Sequence, residues 1–354
     1  MAGGIGSRFW PSSRQSMPKQ FLDILGVGRT LIQMTFDRFT KVCPPEHIYI
    51  VTNVIYKDLV LEQLPQLTEK QVLTEPSRNN TAPCICYAAL KLKGIDPSAN
   101  FVVAPSDHIV LKEDAFAEHI NYGLELVAKQ DILLTLGIEP HNPNTGYGYI
   151  HYDRSVETST EKKVISFKEK PDVETAKAFL ASGEYLWNGG IFVWNVNSLI
   201  KAFENYSPRI LSILKQGESA YNTEKEQAFL NEFYPTTPDI SIDYAIMEKA
   251  DNIYTVPINV GWSDIGTWAS LHNFMDKDEH ANAVASPFAS QLELKDTSHC
   301  MIRNQDEKLT VIHGLTDYIV VDEKDVLLIY PKSKEQAIKE LRGDITDKWG
   351  DTYK

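Results

Sequence analysis

Between residues 30 and 136, amphipathic runs alternate with short apolar ones, and this alternation constrains the fold of the 354-residue chain more than any other feature. Leu31, Ile32, Met34, Phe36, Phe39 and Val42 recur at helical spacing. Residues 47–52 read as an apolar strand, and a second helical stretch runs to about Leu64. Val72-Leu73 reads as a short strand. A helix over 81–93 follows, with Thr81 as its cap and Pro83 in its first turn. Residues 101–104 form a buried strand ending at Pro105-Ser106-Asp107-His108, and a helix over 113–129 and a strand over 132–137 complete the series. Such a pattern implies an α/β fold with a mixed, mainly parallel sheet covered by helices on both faces. Ligands then bind beyond the carboxyl ends of the strands, where Asp107 falls.

Further along, strands around 147–152, 164–169 and 191–194 carry several Tyr and Trp residues, with helices over 173–182 and 196–206. Aromatic faces pack on sugar rings, but for most of these positions a place in the core is the better reading. Past His280 the helical period gives way to short strand-like runs at 301–302, 309–312, 318–321 and 326–329, followed by a helical tail from Ser333. This predicts a small β-rich C-terminal domain, a coil of stacked strands resembling a left-handed β-helix, although no clean repeat period emerges. The expected division is 1–278 and 279–354.

A net charge of −13 argues against nucleic acid as the main partner, because phosphate neutralisation needs a basic surface. No apolar run approaches the roughly 20 residues that span a bilayer, and Met1 opens no signal-peptide pattern. Cys84 and Cys86 stand two apart in a predicted helix and so face different ways. The four cysteines read as free thiols of a reducing cytoplasm.

The opening segment, Gly3-Gly4-Ile5-Gly6-Ser7-Arg8, suits backbone N–H groups brought against phosphate oxygens. Taken alone it reads first as a surface turn, for it lacks both the P-loop ending and the third glycine of a dinucleotide fingerprint. Pro18-Lys19-Gln20-Phe21 changes that balance. Arg8 and Lys19 add two cations at a spacing that suits a polyphosphate.

The combination resembles the signature of the sugar-1-phosphate nucleotidylyltransferases. Glu75-Pro76 with Asn80-Thr81-Ala82-Pro83 is similar to the base-recognition loop of the mannose-1-phosphate guanylyltransferases, and Pro105-Ser106-Asp107-His108 to their metal-binding strand end. Thr145-Gly146-Tyr147-Gly148-Tyr149-Ile150, Phe167-Lys168-Glu169-Lys170-Pro171 and Trp187-Asn188-Gly189-Gly190 match the sugar-phosphate segments in order. Ser241-Ile242-Asp243-Tyr244 and Gly261-Trp262-Ser263-Asp264-Ile265-Gly266 complete the set. The resemblance implies a Rossmann-like nucleotidyltransferase fold. It also implies transfer of GMP from GTP to α-D-mannose 1-phosphate with release of pyrophosphate.

By the same resemblance, Gly3, Gly4, Gly6, Glu75, Asn80 and Thr81 bind GTP, and Gly146, Glu169 and Asn188 bind mannose 1-phosphate. Arg8, Lys19 and Lys170 carry the catalytic charges, and Asp107 and Asp264 hold Mg2+ or another divalent cation. A cytoplasmic homodimer is expected, with no nucleic-acid or membrane partner. A nucleotidylyltransferase for another hexose 1-phosphate or nucleotide, and a non-catalytic sugar-nucleotide sensor, are the alternatives.

Three departures from the family pattern stand out. Asn79 occupies the place before Asn-Thr-Ala-Pro where the family usually has a basic residue, and Arg78 lies one position earlier. Met1 stands where the family has the end of a short apolar strand, so the natural chain is expected to begin upstream. The cupin-like domain of longer relatives would not fit within this sequence, so no mannose-6-phosphate isomerase activity is expected.

Overall fold

The computed structural model describes residues 1–4, 6–155 and 158–354. Contacts group them into two compact units. One comprises Met1–Gly3, Arg38–Pro105 and Val110–Trp262, the other Gly4–Asp37, Ser106–Ile109 and Ser263–Lys354. This grouping follows packing instead of chain order. The segment 279–354 falls wholly in the second unit, together with residues from the start and middle of the chain.

In the first unit, β1 (Ile50–Asn53) pairs in parallel with β2 (Val72–Glu75). The larger sheet contains β3 (Asn100–Val103), β5 (Leu133–Ile138), β6 (Tyr149–Tyr152), β7 (Lys162–Lys168), β8 (Tyr185–Asn195) and β9 (Ile253–Ile258), in the order β3-β8-β5-β9-β7-β6. The two-residue strands β4 (Ile109–Val110) and β10 (Trp262–Ser263) span the points where the chain passes from one unit to the other.

The large sheet is mixed, but its parallel pairing is confined to β5 with β9; β8 runs antiparallel to β3, β5 and β6. A mainly parallel sheet is therefore corrected here. The cause is β8, an 11-residue strand that runs antiparallel to each of its partners β3, β5 and β6.

Strand β5 is buried on both faces, which explains its continuous apolar run. Leu133 faces a core shared with Phe192, Trp194 and the helices α3 (Thr81–Ile95), α6 (Val196–Tyr206) and α7 (Pro208–Leu214). Leu134 and Leu136 face the other side, with Phe116 and Ile120 of α4 (Glu113–Val127) and Ala176 of α5 (Val173–Ser182). Helices thus cover both faces. Trp187, Trp194 and Tyr149 are at most 1% exposed and are core residues, while Tyr147, Tyr152 and Tyr185 are half-buried. The remaining helices of the unit are α2 (Lys57–Gln63) and α8 (Glu226–Phe233), while α1 (Leu31–Phe39) contains the passage of the chain between Asp37 and Arg38. Ala2 N donates to Val51 O (2.7 Å) and Thr52 Oγ1 to Ala2 O (2.9 Å).

The second unit is built on a strand coil. Parallel registers join Ala283 of β11 (Ala283–Val284) to Met301 of β13 (Met301–Asn304), and Met301 to Ile319 of β15 (Tyr318–Asp322). Leu292 of β12 (Leu292–Lys295) pairs with Thr310 of β14 (Thr310–His313) in the same way. Each partner lies 18 residues from the last, a repeat with no clean period in the sequence. β16 (Leu327–Pro331) closes one edge in the antiparallel sense. Phe9, Trp10, Ile265 and Trp268 share the apolar core of this unit with Met301, Ile319 and Ile338, which brings in α9 (Trp268–Phe274) and α10 (Ile338–Trp349).

No helix among the described residues is long and apolar enough to cross a membrane. All four cysteines are free, and burial raises the thiol pKa of Cys84 and Cys86.

Candidate active site

The second unit gathers six of the nominated residues: Gly4, Gly6, Arg8, Lys19, Asp107 and Asp264. Gly6 has φ 70°, a conformation that favours glycine, and a Cβ placed there would lie 2.5 Å from Lys19 Cβ. The glycine turn is therefore shaped around Lys19. That lysine is only 4% exposed and spends its three protons on protein acceptors. Its Nζ lies 2.9 Å from Asp107 Oδ2, 2.7 Å from Asp264 O and 3.0 Å from Ile265 O. Burial works against the charge of Asp107, but Lys19 and the neighbouring His108 outweigh it and hold the carboxyl below its ordinary pKa.

Ile265 is fully buried with φ 36°, a region that β-branched residues rarely enter. This backbone lets both the 264 and 265 carbonyls converge on Lys19. Gly266 comes next, and a Cβ there would sit 3.0 Å from Asp264 Oδ2 and 3.7 Å from Arg8 Nη1. Asp264 and the exposed Arg8 thus flank one glycine. Gly4, by contrast, has open space where a Cβ would stand.

The first unit holds a second group around a cleft of about 580 Å³, lined by Asn80, Thr81, Glu169, Lys170, Ser241, Asp243 and Tyr244. Asn80 enters α3 at φ 67°, and its side chain accepts from Thr81 N (2.9 Å). Asn80 is the cap, which corrects the expectation for Thr81. The Thr81 hydroxyl instead accepts from Ile242 N (2.8 Å). Lys170 also has positive φ, 38°, and pairs with Glu169 Oε1 at 2.8 Å. Asn80, Lys170 and Ile265 thus share a positive φ, as do Asn222, Ala281, Asp296, His299 and Asp317 elsewhere among the described residues.

Gly148 packs against the other oxygen of this carboxylate: a Cβ there would lie 2.8 Å from Glu169 Oε2. Gly146 sits in an exposed turn, where its N–H donates to Asn144 Oδ1 (2.7 Å). Asn188 donates to Asp243 Oδ1 (2.7 Å) and accepts from Gly190 N (3.1 Å). Asp243 opens a π-turn, Asp243–Met247, a geometry that recurs at functional sites. Burial, aided by Glu169, raises the pKa of Asp243, while Asn188 and Lys170 oppose the shift.

Glu75 does not line the cleft. It is 8% exposed and accepts a hydrogen bond from Tyr234 OH. Burial pushes its carboxyl up to about 7, against the opposing pull of that hydroxyl. Asn79 is also buried, donating to Thr237 O (2.8 Å) and Thr237 Oγ1 (3.0 Å). Arg78 donates instead to Tyr56 OH at 2.9 Å. Asn79 is thus a structural tie where a basic side chain would find only carbonyl and hydroxyl oxygens.

Asp243, Tyr244, Ser241 and Gly148 lie within the family motifs, but their residue types alone point to no particular role. The signal available was their place inside those motifs. Among the described residues, no group of three or more His, Cys, Asp or Glu could hold a metal ion.

The α/β core is that of a nucleotidyl transferase. The nucleotidyl transferase family model matches residues 1–281, and the chain belongs to that family. The chain is 34% identical over 96% of its length to a mannose-1-phosphate guanylyltransferase from Klebsiella pneumoniae, covering 71% of that protein. It is 34% identical over 98% of its length to the xanthan biosynthesis protein XanB of Xanthomonas campestris, covering 72% of it. Among solved structures, a mannose-1-phosphate geranyltransferase from Thermus thermophilus superposes with a TM-score of 0.86 at 28% identity, over 98% of this chain and 97% of that one.

Proposed function

We propose that this nucleotidyltransferase moves GMP from GTP to α-D-mannose 1-phosphate, giving GDP-mannose and pyrophosphate. The observation that carries the reading is the single cleft shared by Asn80, Thr81, Glu169 and Lys170, two of them nominated for a base and two for a sugar phosphate. The names of the similar guanylyltransferases supply the particular sugar and nucleotide.

A sugar phosphate oxygen attacks the α-phosphorus in line. The new P–O bond forms as the bond to the bridging oxygen of pyrophosphate breaks. The phosphate monoester is already anionic at neutral pH, so no general base is required. Lys170 holds the sugar phosphate, while Glu169 and Asn188 read sugar hydroxyls and Gly146 lets the sugar approach the backbone. Gly3, Gly4 and Gly6 offer backbone N–H groups to the triphosphate. Arg8 and Lys19 oppose its charge, Lys19 also holding Asp107 and the 264–265 carbonyls in place. Asn80 and Thr81 supply donors and acceptors for guanine, while Glu75, which does not line the cleft, keeps its hydrogen bond from Tyr234 OH.

Asp107 and Asp264 are the residues that would hold Mg2+. Two hard carboxylates fit this ion, which takes one or two protein oxygens and completes its shell with water and phosphate. When bound, the ion would offset the charge that develops on the leaving pyrophosphate.

In this reading residues 1–278 form the catalytic domain and 279–354 the C-terminal one, and the protein is a cytoplasmic homodimer. Exposed Val311, Leu327 and Ile329 on the C-terminal strands support self-association. Incubation with GTP, mannose 1-phosphate and Mg2+, with and without EDTA, tests the proposal. GDP-mannose should form and EDTA should abolish it; binding of both substrates without product would favour a sensor.

A further inference from the structure

We infer that Asp243 is the specificity-determining residue of the sugar subsite: it fixes the amide of Asn188 and is itself an acceptor for a hydroxyl of the hexose phosphate. This deepens the reading above and rests on it. Asn188 is held at both ends, its Nδ2 by Asp243 Oδ1 at 2.7 Å and its Oδ1 by the N–H of Gly190 at 3.1 Å. Asp243 and the Gly190 N–H thus set the amide from opposite ends, the carboxylate taking the Nδ2 donor and the N–H taking the Oδ1 acceptor. Asp243 also lines the cleft, with Glu169 and Lys170 as its neighbours.

Two carboxylates and one lysine in a single cleft suit a ligand that offers several hydroxyl donors and one anionic group. A hexose 1-phosphate is such a ligand. The lysine answers the phosphate, and each carboxylate accepts from hydroxyls. The π-turn supplies the placement. It begins at Asp243, and Ile242, one residue earlier, donates its N–H to Thr81 Oγ1 at 2.8 Å. The segment that presents Asp243 is thereby tied to the residue next to Asn80, so the base loop and the sugar-reading turn hold a fixed register.

Steady-state kinetics of the full-length Asp243→Asn variant test the inference, with Asp243→Ser as a second variant and thermal melting of both. The KM for mannose 1-phosphate should rise roughly ten- to a hundred-fold, the range expected for a lost hydrogen bond to a charged group, while the KM for GTP stays within twofold. On a series of monodeoxy-mannose 1-phosphates, one analogue should show no further loss in the variant relative to wild type, because the hydroxyl that Asp243 reads is missing from it. Unchanged KM for the sugar phosphate in both variants overturns the inference. So does an equal rise of both KM values with a lowered melting temperature, which marks a purely structural role. A wild-type protein that uses no hexose 1-phosphate overturns the underlying reading, and this inference with it.

Discussion

Lys19 and Asp107 meet at 2.9 Å, and the same ammonium group is shared with the main-chain oxygens of Asp264 and Ile265. One lysine therefore fixes the carboxylate of one nominated metal ligand and the backbone of the other. Neither residue could take this arrangement without Gly6, whose backbone leaves room for the lysine stem.

Lys19→Met keeps the stem and removes the charge, leaving Asp107 and two carbonyls without their donor. Turnover should fall by about 10²–10³-fold, the scale of losing one charge-stabilising group. Stability should drop by roughly 2–4 kcal/mol, less than for a fully buried pair because Asp107 keeps some solvent contact. Initial rates and urea unfolding check both; a variant with wild-type turnover would exclude Lys19 from the chemistry.

Gly6→Ala places a methyl group against Lys19 at a backbone angle that suits glycine. The positive φ alone costs roughly 1–2 kcal/mol, and displacement of Lys19 should lower kcat more than tenfold. Gly4→Ala, where the space is open, should leave the melting temperature nearly unchanged. Similar melting temperatures for the two variants would contradict the packing described.

Glu75 keeps its proton in the folded chain up to about pH 7, well above its ordinary value of 4.5. As pH rises from 4.5 to 7 the unfolded chain releases that proton and the folded chain retains it. The contribution is present in full below the unfolded pKa and is lost as pH rises through the folded one, by roughly 3 kcal/mol in all. Glu75→Gln should remove this dependence, so the difference in unfolding free energy between variant and wild type should widen from pH 5 to pH 7.5. Parallel profiles would rule out a raised Glu75.

Gly148→Ala directs a methyl group at Glu169 Oε2. It should raise the KM for the sugar phosphate about tenfold with little effect on the KM for GTP, on the scale of one hydrogen bond to a charged group. A rise confined to GTP would move Glu169 out of the sugar subsite.

Much of the fold was legible where local chemistry and tertiary packing agree. Helix α5 starts at Asp172, which accepts from Thr175 N (2.8 Å), and stops at Gly183 with φ 65°, so both its ends are written in the sequence. Strand β8 was only partly legible, because Asn188-Gly189-Gly190 reads as a turn. The strand continues because Gly189 packs closely on β5, where a Cβ would lie 3.1 Å from Ile138. The 18-residue coil was hidden because equivalent positions such as Ala283, Met301 and Ile319 share only apolar character. Within the site, the charged motif residues could be named, but Asp243 gains its role through Asn188, 55 positions away. The burial of Glu75 depends on Tyr234 in the same way, at a separation of 159 residues.

The central claim is tested most directly by kcat/KM for GTP, ATP, UTP and dTTP, each with mannose 1-phosphate and Mg2+, and by the sugar nucleotide formed. GTP should be preferred by at least tenfold, with GDP-mannose and pyrophosphate appearing in equal amounts. A preference for UTP or dTTP, or no sugar nucleotide with any of the four, would contradict it.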